Sequence, residues 1–169
     1  SGMIGYHPDI AKISQNIEEA NTLLDTLGYL RPEGSAYRQT KKDSTDSPLS
    51  FTLTTVQSPE FVRAAEMIRD QLAIIGIYVE IVSIPQEVFV ADVLAPHSYE
   101  LLLSGVLLGL DPDPYPFWHS SQTRNGGLNL ALYGNRKADT LLEEARGLTN
   151  PEERAAKYRE FQDLLAQDI

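Results

Sequence analysis

Ten consecutive residues bring several side chains able to do chemistry close together: Leu110-Asp111-Pro112-Asp113-Pro114-Tyr115-Pro116-Phe117-Trp118-His119. Two carboxylates, an imidazole and three flat rings stand close together there. Asp111 and Asp113 as general acid and base would have to flank one bond. Residues two apart on an extended chain point to opposite faces, and aspartate before proline is a common turn former. As ligands of a hard cation the pair would need further oxygen donors, and neither a third acid nor an EF-hand pattern follows. His7, His97 and His119 are far apart, and none has a ligand-type partner three or four residues on. Cysteine is absent, which removes thiolate nucleophiles and cysteine-based zinc sites. There is no G-x-S-x-G, no H-E-x-x-H and no glycine-rich phosphate loop. The residues therefore lead us to expect no catalytic group, no resident metal and no cofactor. Tyr115, Phe117 and Trp118 lie outside any helical spacing. They either plug the loop onto the core or offer ring surface to a ligand, and the sequence leaves both readings open.

The backbone that must present these groups is stiff. Each proline fixes φ, removes a donor and restricts the residue before it. The stretch is expected to be neither helix nor ladder-paired strand. It follows the apolar run 101–108, which together with Tyr99 and Glu100 reads as a strand buried on both faces. In open α/β sheets ligands bind outside the carboxyl ends of strands, so residues 109–119 form the candidate site.

The remaining elements can be placed from periodicity and caps. Asn16 and Glu19 read as a capping box opening a helix whose face is Ile17, Ala20, Leu24 and Leu27, closed by Gly28. Residues 31–48 read as a long surface turn or ragged hairpin. Residues 49–55 alternate as a half-buried strand. Ser58-Pro59-Glu60 then starts a helix with Phe61, Ala64, Ala65, Ile68 and Leu72 inward. Gly76 ends it, and 77–84 alternate again. Strand, helix and strand make a βαβ unit with parallel strands. A short helix over 86–94 stops at Pro96, and Asn125-Gly126-Gly127 is a turn. Two helices close the chain. One covers about 137–146 with Leu141, Leu142 and Ala145 inward. The other opens at Asn150-Pro151 and turns Ala155, Tyr158, Phe161, Gln162 and Leu165 inward. The charged groups of these two helices, Glu143, Glu144 and Arg146 among them, read as a solvated face.

With 169 residues, 42% hydrophobic and 22% charged, the chain fits one α/β domain with a core of its own. No apolar run approaches the ~18 residues that a membrane span needs, and no signal peptide is visible. The net charge of −10 disfavours a nucleic acid partner, because phosphate binding needs a basic face.

Several stretches, in order, resemble the bacterial extracellular solute-binding proteins of family 5, the oligopeptide, dipeptide and nickel receptors of ABC importers. They are 17–29, ending Gly28-Tyr29; Leu49 to Val56 with Ala64-Ala65, Ile68, Gln71-Leu72 and Gly76-Ile77; Asp113-Pro114 after an apolar strand; Asn129, Tyr133, Asn135 and 139–145; and Glu153-Arg154, Tyr158 and Phe161-Gln162 leading to Asp168-Ile169. The resemblance covers nearly the whole chain through the ordered set. It implies a type II periplasmic-binding-protein-like lobe, α/β, with a mixed, mostly parallel sheet flanked by helices. Residues 1–169 would be one domain supplying most of the second lobe of a two-lobe receptor, with a first lobe and a final segment outside this sequence. It implies an extracytoplasmic protein, not an enzyme, that traps a peptide or similar small solute between lobes and delivers it to permease subunits. The ligand-contacting residues would be Gly109, Asp111, Asp113, Tyr115, Trp118, His119 and Asn129. One departure stands out. Peptide-binding members often carry an acid just ahead of the Asp-Pro step, for the ligand's amino group, and here 107–110 reads Leu-Leu-Gly-Leu. A hydrolase using Asp111 and Asp113, or a free-standing interaction domain, are the alternative expectations.

Overall fold

The structure is a computed structural model that describes residues 5–10, 14–42, 45–107, 113–124 and 126–168, with side chains except at 40–42 and 45–46. The chain forms two compact units. One takes the described residues of 14–93 and 98–105, the other those of 1–13, 94–97 and 106–169.

The first unit is built on a sheet. Strands β3 (Ser50–Val56), β4 (Tyr78–Ile84) and β5 (Leu101–Leu103) lie in the order β4-β3-β5, both pairings parallel. Helix α2 (Pro59–Ile74) links β3 to β4, so the expected βαβ unit is present. Its core is Leu53, Ala65 and Val79, with Ile68, Leu72, Ile81, Leu101 and Leu103 packed against it. As the central strand, β3 is covered on both sides from Leu53 to Thr55, so its burial does not alternate there. The Thr55 hydroxyl, fully buried, donates to the Leu103 carbonyl at 2.8 Å. At Ser58 the hydroxyl donates to Glu60 Oε2 at 3.0 Å rather than capping the backbone. Gly76 follows α2 at φ +82°, and a Cβ there would lie 2.5 Å from the Arg31 guanidinium. Only glycine suits that position.

Helix α1 (Ile17–Thr26) opens as read: Asn16 Oδ1 accepts from Glu19 N–H, and Asn16 Nδ2 donates to Glu19 Oε2 at 2.9 Å. Its apolar face is only half realised. Ala20 and Leu24 are half-buried, while Ile17 and Leu27 are exposed. The stretch read as a ragged hairpin contains an antiparallel pair, β1 (Gln39–Lys42) and β2 (Thr45–Pro48). It also contains the buried Arg38, which donates to the Ile75 and Tyr29 carbonyls and to Asn21 Oδ1, and pairs with Asp25. One expectation needs correcting. β5 is three half-buried residues rather than a long strand buried on both faces. Among the described residues its one strand neighbour is β3, and Val106 and Leu107 are exposed. The short helix over 86–94 is α3 (Gln86–Phe89) continued by one π turn, Val90–Leu94.

The second unit is helical. It holds α4 (Tyr115–Trp118), a 3-10 turn (Ser120–Thr123), α5 (Arg136–Gly147) and α6 (Pro151–Asp168). Asn135 Oδ1 caps α5 by accepting from Lys137 and Ala138, and Asn150 Oδ1 accepts from Glu152 and Glu153 at the start of α6. The core is Ala138, Leu141, Leu142 and Phe161, with Trp118, Tyr133, Leu164 and Leu165 against it. Residues 5–10 strap onto α6: Gln162 Nε2 donates to the Gly5 carbonyl at 2.7 Å, and His7 Nε2 lies 3.0 Å from Asp163. Gly127 closes a turn in which a Cβ would meet the Gln122 carbonyl oxygen at 2.0 Å. Among the described residues no helix is long and apolar enough to cross a membrane.

Candidate functional site

The proline-rich stretch is where residue-level expectation and structure differ most. Tyr115–Trp118 is one helical turn, not an open loop. Prolines are tolerated here because Pro114 and Pro116 fall at the cap and in the first turn, where backbone N–H groups have no intrahelical acceptor. The orphan N–H of Tyr115 is taken up by Asp113 Oδ1 at 3.1 Å. Asp113 thus acts as a cap. Its other oxygen, Oδ2, lies 2.9 Å from Arg146 Nε.

From this turn a stack is built. The Arg146 guanidinium lies over the Tyr115 ring at 4.2 Å. The Tyr115 ring stacks on the His119 imidazole, with centroids 4.2 Å apart and planes 21° apart. His119 is buried, and Nδ1 accepts from Ser121 N–H at 3.1 Å, with Ser121 Oγ at 2.8 Å. With Nδ1 accepting, the ring proton sits on Nε2, facing Glu143 Oε1 at 3.3 Å and Asp139 Oδ1 at 3.8 Å. Asp139 also accepts from the Ser120 N–H and hydroxyl, at 2.8 and 2.6 Å. Serine, histidine and acid in that order suggest a nucleophile chain, but the geometry is that of a cap. The single lone pair of Nδ1 already serves the Ser121 backbone, and Ser121 Oγ also takes a hydrogen bond from Gln122 Nε2 at 3.1 Å. That leaves no free base for proton abstraction.

Trp118 and Asn129 turn inward. Trp118 packs on Tyr133 and Phe161, with centroids 5.9 and 6.2 Å away. Asn129 is fully buried. Its Nδ2 donates to the His119 and Tyr133 carbonyls at 3.1 and 2.8 Å, and its Oδ1 accepts from Tyr133 N–H at 3.1 Å. Of the seven candidates, Asp113, Tyr115 and His119 come together in the stack, and Trp118 and Asn129 brace it from behind. Gly109 and Asp111 lie outside the described residues. The Asp111/Asp113 pair therefore has only one member in view, and both oxygens of that member are engaged.

Sequence reasoning missed the α5 contribution. Asp139, Glu143 and Arg146 share one helix face at i, i+4 and i+7. That polar stripe, adjacent to the apolar Ala138, Leu141, Leu142 and Ala145, was the available signal. At the far end of the unit the Tyr133 hydroxyl donates to Asp168 Oδ2 at 2.6 Å, beside Asn135 Nδ2 at 2.7 Å. Burial, then the bond to Asp168, pushes the Tyr133 hydroxyl up to about 12. The hydrogen bonds from Tyr133 and Asn135 hold the Asp168 carboxyl below its usual value. Among the described residues no group of three histidine or acidic side chains converges as a metal site would.

Comparison with known proteins agrees with this architecture. Residues 1–128 match the family model described as bacterial extracellular solute-binding proteins, family 5 Middle. The chain belongs to solute-binding protein family 5. The oligopeptide-binding protein AppA of Bacillus subtilis (strain 168) is 28% identical over 163 residues, 95% of this chain and 29% of AppA. The peptide transport periplasmic protein SapA of Haemophilus influenzae is 31% identical over 118 residues, 68% of this chain and 21% of SapA. The solved structure of the Bacillus subtilis AppA in complex with a nonapeptide superposes with a TM-score of 0.84 at 26% identity, covering 98% of this chain and 33% of that one. NikZ from Campylobacter jejuni, in complex with Ni(L-His), shares the fold with a TM-score of 0.80 at 24% identity, covering 96% of this chain and 32% of that one. The chain thus spans less than a third of the length of the curated family 5 relatives it matches. The fold is that of a type II periplasmic-binding-protein lobe, α/β with a parallel sheet flanked by helices. The family and these neighbours are binding proteins rather than enzymes.

Proposed function

We propose that this chain supplies most of the second lobe of an extracytoplasmic solute receptor serving an ABC importer. Its ligand is a peptide or a similar small solute, held against a first lobe outside this sequence and passed to permease subunits. The observation that carries the reading is the family membership of the chain, beside a turn in which the Asp113, Tyr115 and His119 side chains are held by neighbouring groups. Asp113, Tyr115 and His119 form a preorganised wall. Their rotamers are held by Arg146, Glu143 and Ser121 before any ligand arrives, which lowers the entropic cost of binding. Trp118 and Asn129 anchor this wall to the α5–α6 core. Asp113 is held by the Tyr115 N–H and by Arg146, positioning roles that lend the hydrolase alternative no support.

The test uses the full-length protein that carries this chain. Small molecules that co-purify are identified by mass spectrometry, and a pool of random nonapeptides is titrated by calorimetry. Saturable binding without turnover is expected, with slower amide exchange over 113–123 in the bound state. Binding that leaves exchange at 113–123 unchanged would remove the wall from the ligand site, and conversion of the peptides would restore the enzyme reading.

A further inference from the structure

The stack limits what the wall can recognise. The Tyr115 ring is in contact with the Arg146 guanidinium and with the His119 imidazole, each 4.2 Å from its centre. Both oxygens of Asp113 are engaged, Oδ1 by Tyr115 N–H and Oδ2 by Arg146 Nε. A carboxylate beside the face of an electron-rich ring is the pair of groups that recognises an ammonium or guanidinium. Arg146 fills that position from within the chain. Its side chain is still 49% exposed, against 20% for Asp113. Arg146 is therefore the member of the pair more open to an arriving molecule. Because Arg146 and Asp113 neutralise each other, an incoming cation would have to displace the guanidinium to find either an open ring face or a free carboxylate.

We propose that Arg146 is a specificity-determining residue: its guanidinium occupies the cation position made by Asp113 and Tyr115, so the wall takes an uncharged part of the ligand. The inference rests on the reading that this wall faces the ligand. Under it, removing the guanidinium exposes a ring face and a carboxylate together, and the wall gains selectivity for amines.

The experiment titrates the full-length protein carrying this chain with two probes. One is a pool of random nonapeptides with free amines, the other the same pool fully acetylated. The quantity read is the ratio of the two affinities, which cancels amine recognition elsewhere in the protein. In Arg146→Gln the ratio is expected to rise about fivefold in favour of free amines, from one exposed cation–π contact and one exposed ion pair. In Arg146→Gln with Asp113→Asn the gain is expected to vanish. Arg146→Ala clears the ring face completely and is expected to give the same rise, which covers the case in which the glutamine variant fails to fold. Thermal melts followed by circular dichroism report folding of every variant. A ratio within twofold of wild type in a folded variant overturns the inference. If both affinities are then also unchanged, the wall itself does not face the ligand and the reading beneath it falls too. If both affinities drop together, the wall stands and Arg146 contacts or positions the ligand without selecting against amines.

Discussion

Asn129 offers the sharpest test of how the wall is supported. It is fully buried, and its amide serves two carbonyls and one N–H across the segment 119–133. The His119 carbonyl keeps a second partner in Gln122 N–H at 2.9 Å. Asn129 serves both the N–H and the carbonyl of the Tyr133 backbone. Asn129→Ala removes three bonds worth about 1 kcal/mol each net and strands part of the Tyr133 backbone, a cost of about 3–4 kcal/mol. Asn129→Asp is nearly isosteric but should cost more, about 4–5 kcal/mol at pH 7. It loses both donors and aims a carboxylate oxygen at a carbonyl that now sits 2.8 Å from Nδ2. Burial raises the pKa of such a carboxyl, so its penalty is smallest below about pH 4, where it is protonated in both the folded and unfolded chain, and grows as pH rises. Urea unfolding followed by Trp118 fluorescence measures this directly, since Trp118 is the only tryptophan and packs on Tyr133. An aspartate variant as stable as the alanine variant at pH 7, or both within about 0.5 kcal/mol of wild type, would refute the brace. Asn129 would then be free to act as a ligand contact.

Leu142→Ala, at a fully buried position of the helical core, is expected to cost about 3–4 kcal/mol and to lower the melting temperature by roughly 6–15 °C; an unchanged scanning-calorimetry midpoint would contradict that core. Gly76→Ala forces an L side chain to φ +82° against Arg31 and is expected to destabilise by more than about 1 kcal/mol, read from urea midpoints. Tyr133 has its pKa raised from 10.0 to about 12, so the stability it contributes is present below pH 10 and is lost as pH rises through about 12. Absorbance titration should show a tyrosine titrating near 12 that disappears in Tyr133→Phe, beside Tyr99, which burial also raises. Asp168 is held below 3.8, so its contribution is present above about pH 4 and is lost as pH falls through the depressed value. Asp168→Asn should flatten the acid limb of the stability curve.

Legibility differed between fold and site for physical reasons. The β3–α2–β4 unit was readable because its signals are local: alternation over 49–55, Ser58-Pro59 at a helix start, Gly76 at its end. Helices α5 and α6 were readable for the same reason, through Asn150-Pro151 and the inward Tyr158 and Phe161. Arg38 was not, because its partners lie on α1, at Tyr29 and at Ile75, up to 37 residues away. The helical turn at Tyr115 was missed because three prolines dominate the local reading, whereas a first turn needs few donors and Asp113 supplies the acceptor. At the site, Asp113, Tyr115 and His119 were visible by type. Their partners Glu143 and Arg146, from 24 to 33 residues further on, read as ordinary solvated charges until α5 is brought against the turn.

The way residues 5–10 strap onto α6 has a consequence for the order in which the molecule is made. The last residue of the sheet unit is 105, so a nascent chain can finish it early. The helical unit joins Gly5 to Gln162 across 157 positions, and that closure waits until roughly 60 more residues have left the ribosome, roughly 3–12 s at ordinary elongation rates. During that interval the leading segment has no groove to occupy, and contacts of such separation are the slowest to form. Stalled chains released at successive lengths should gain protease resistance in two steps, the sheet unit first and the N-terminal strap only once α6 is complete.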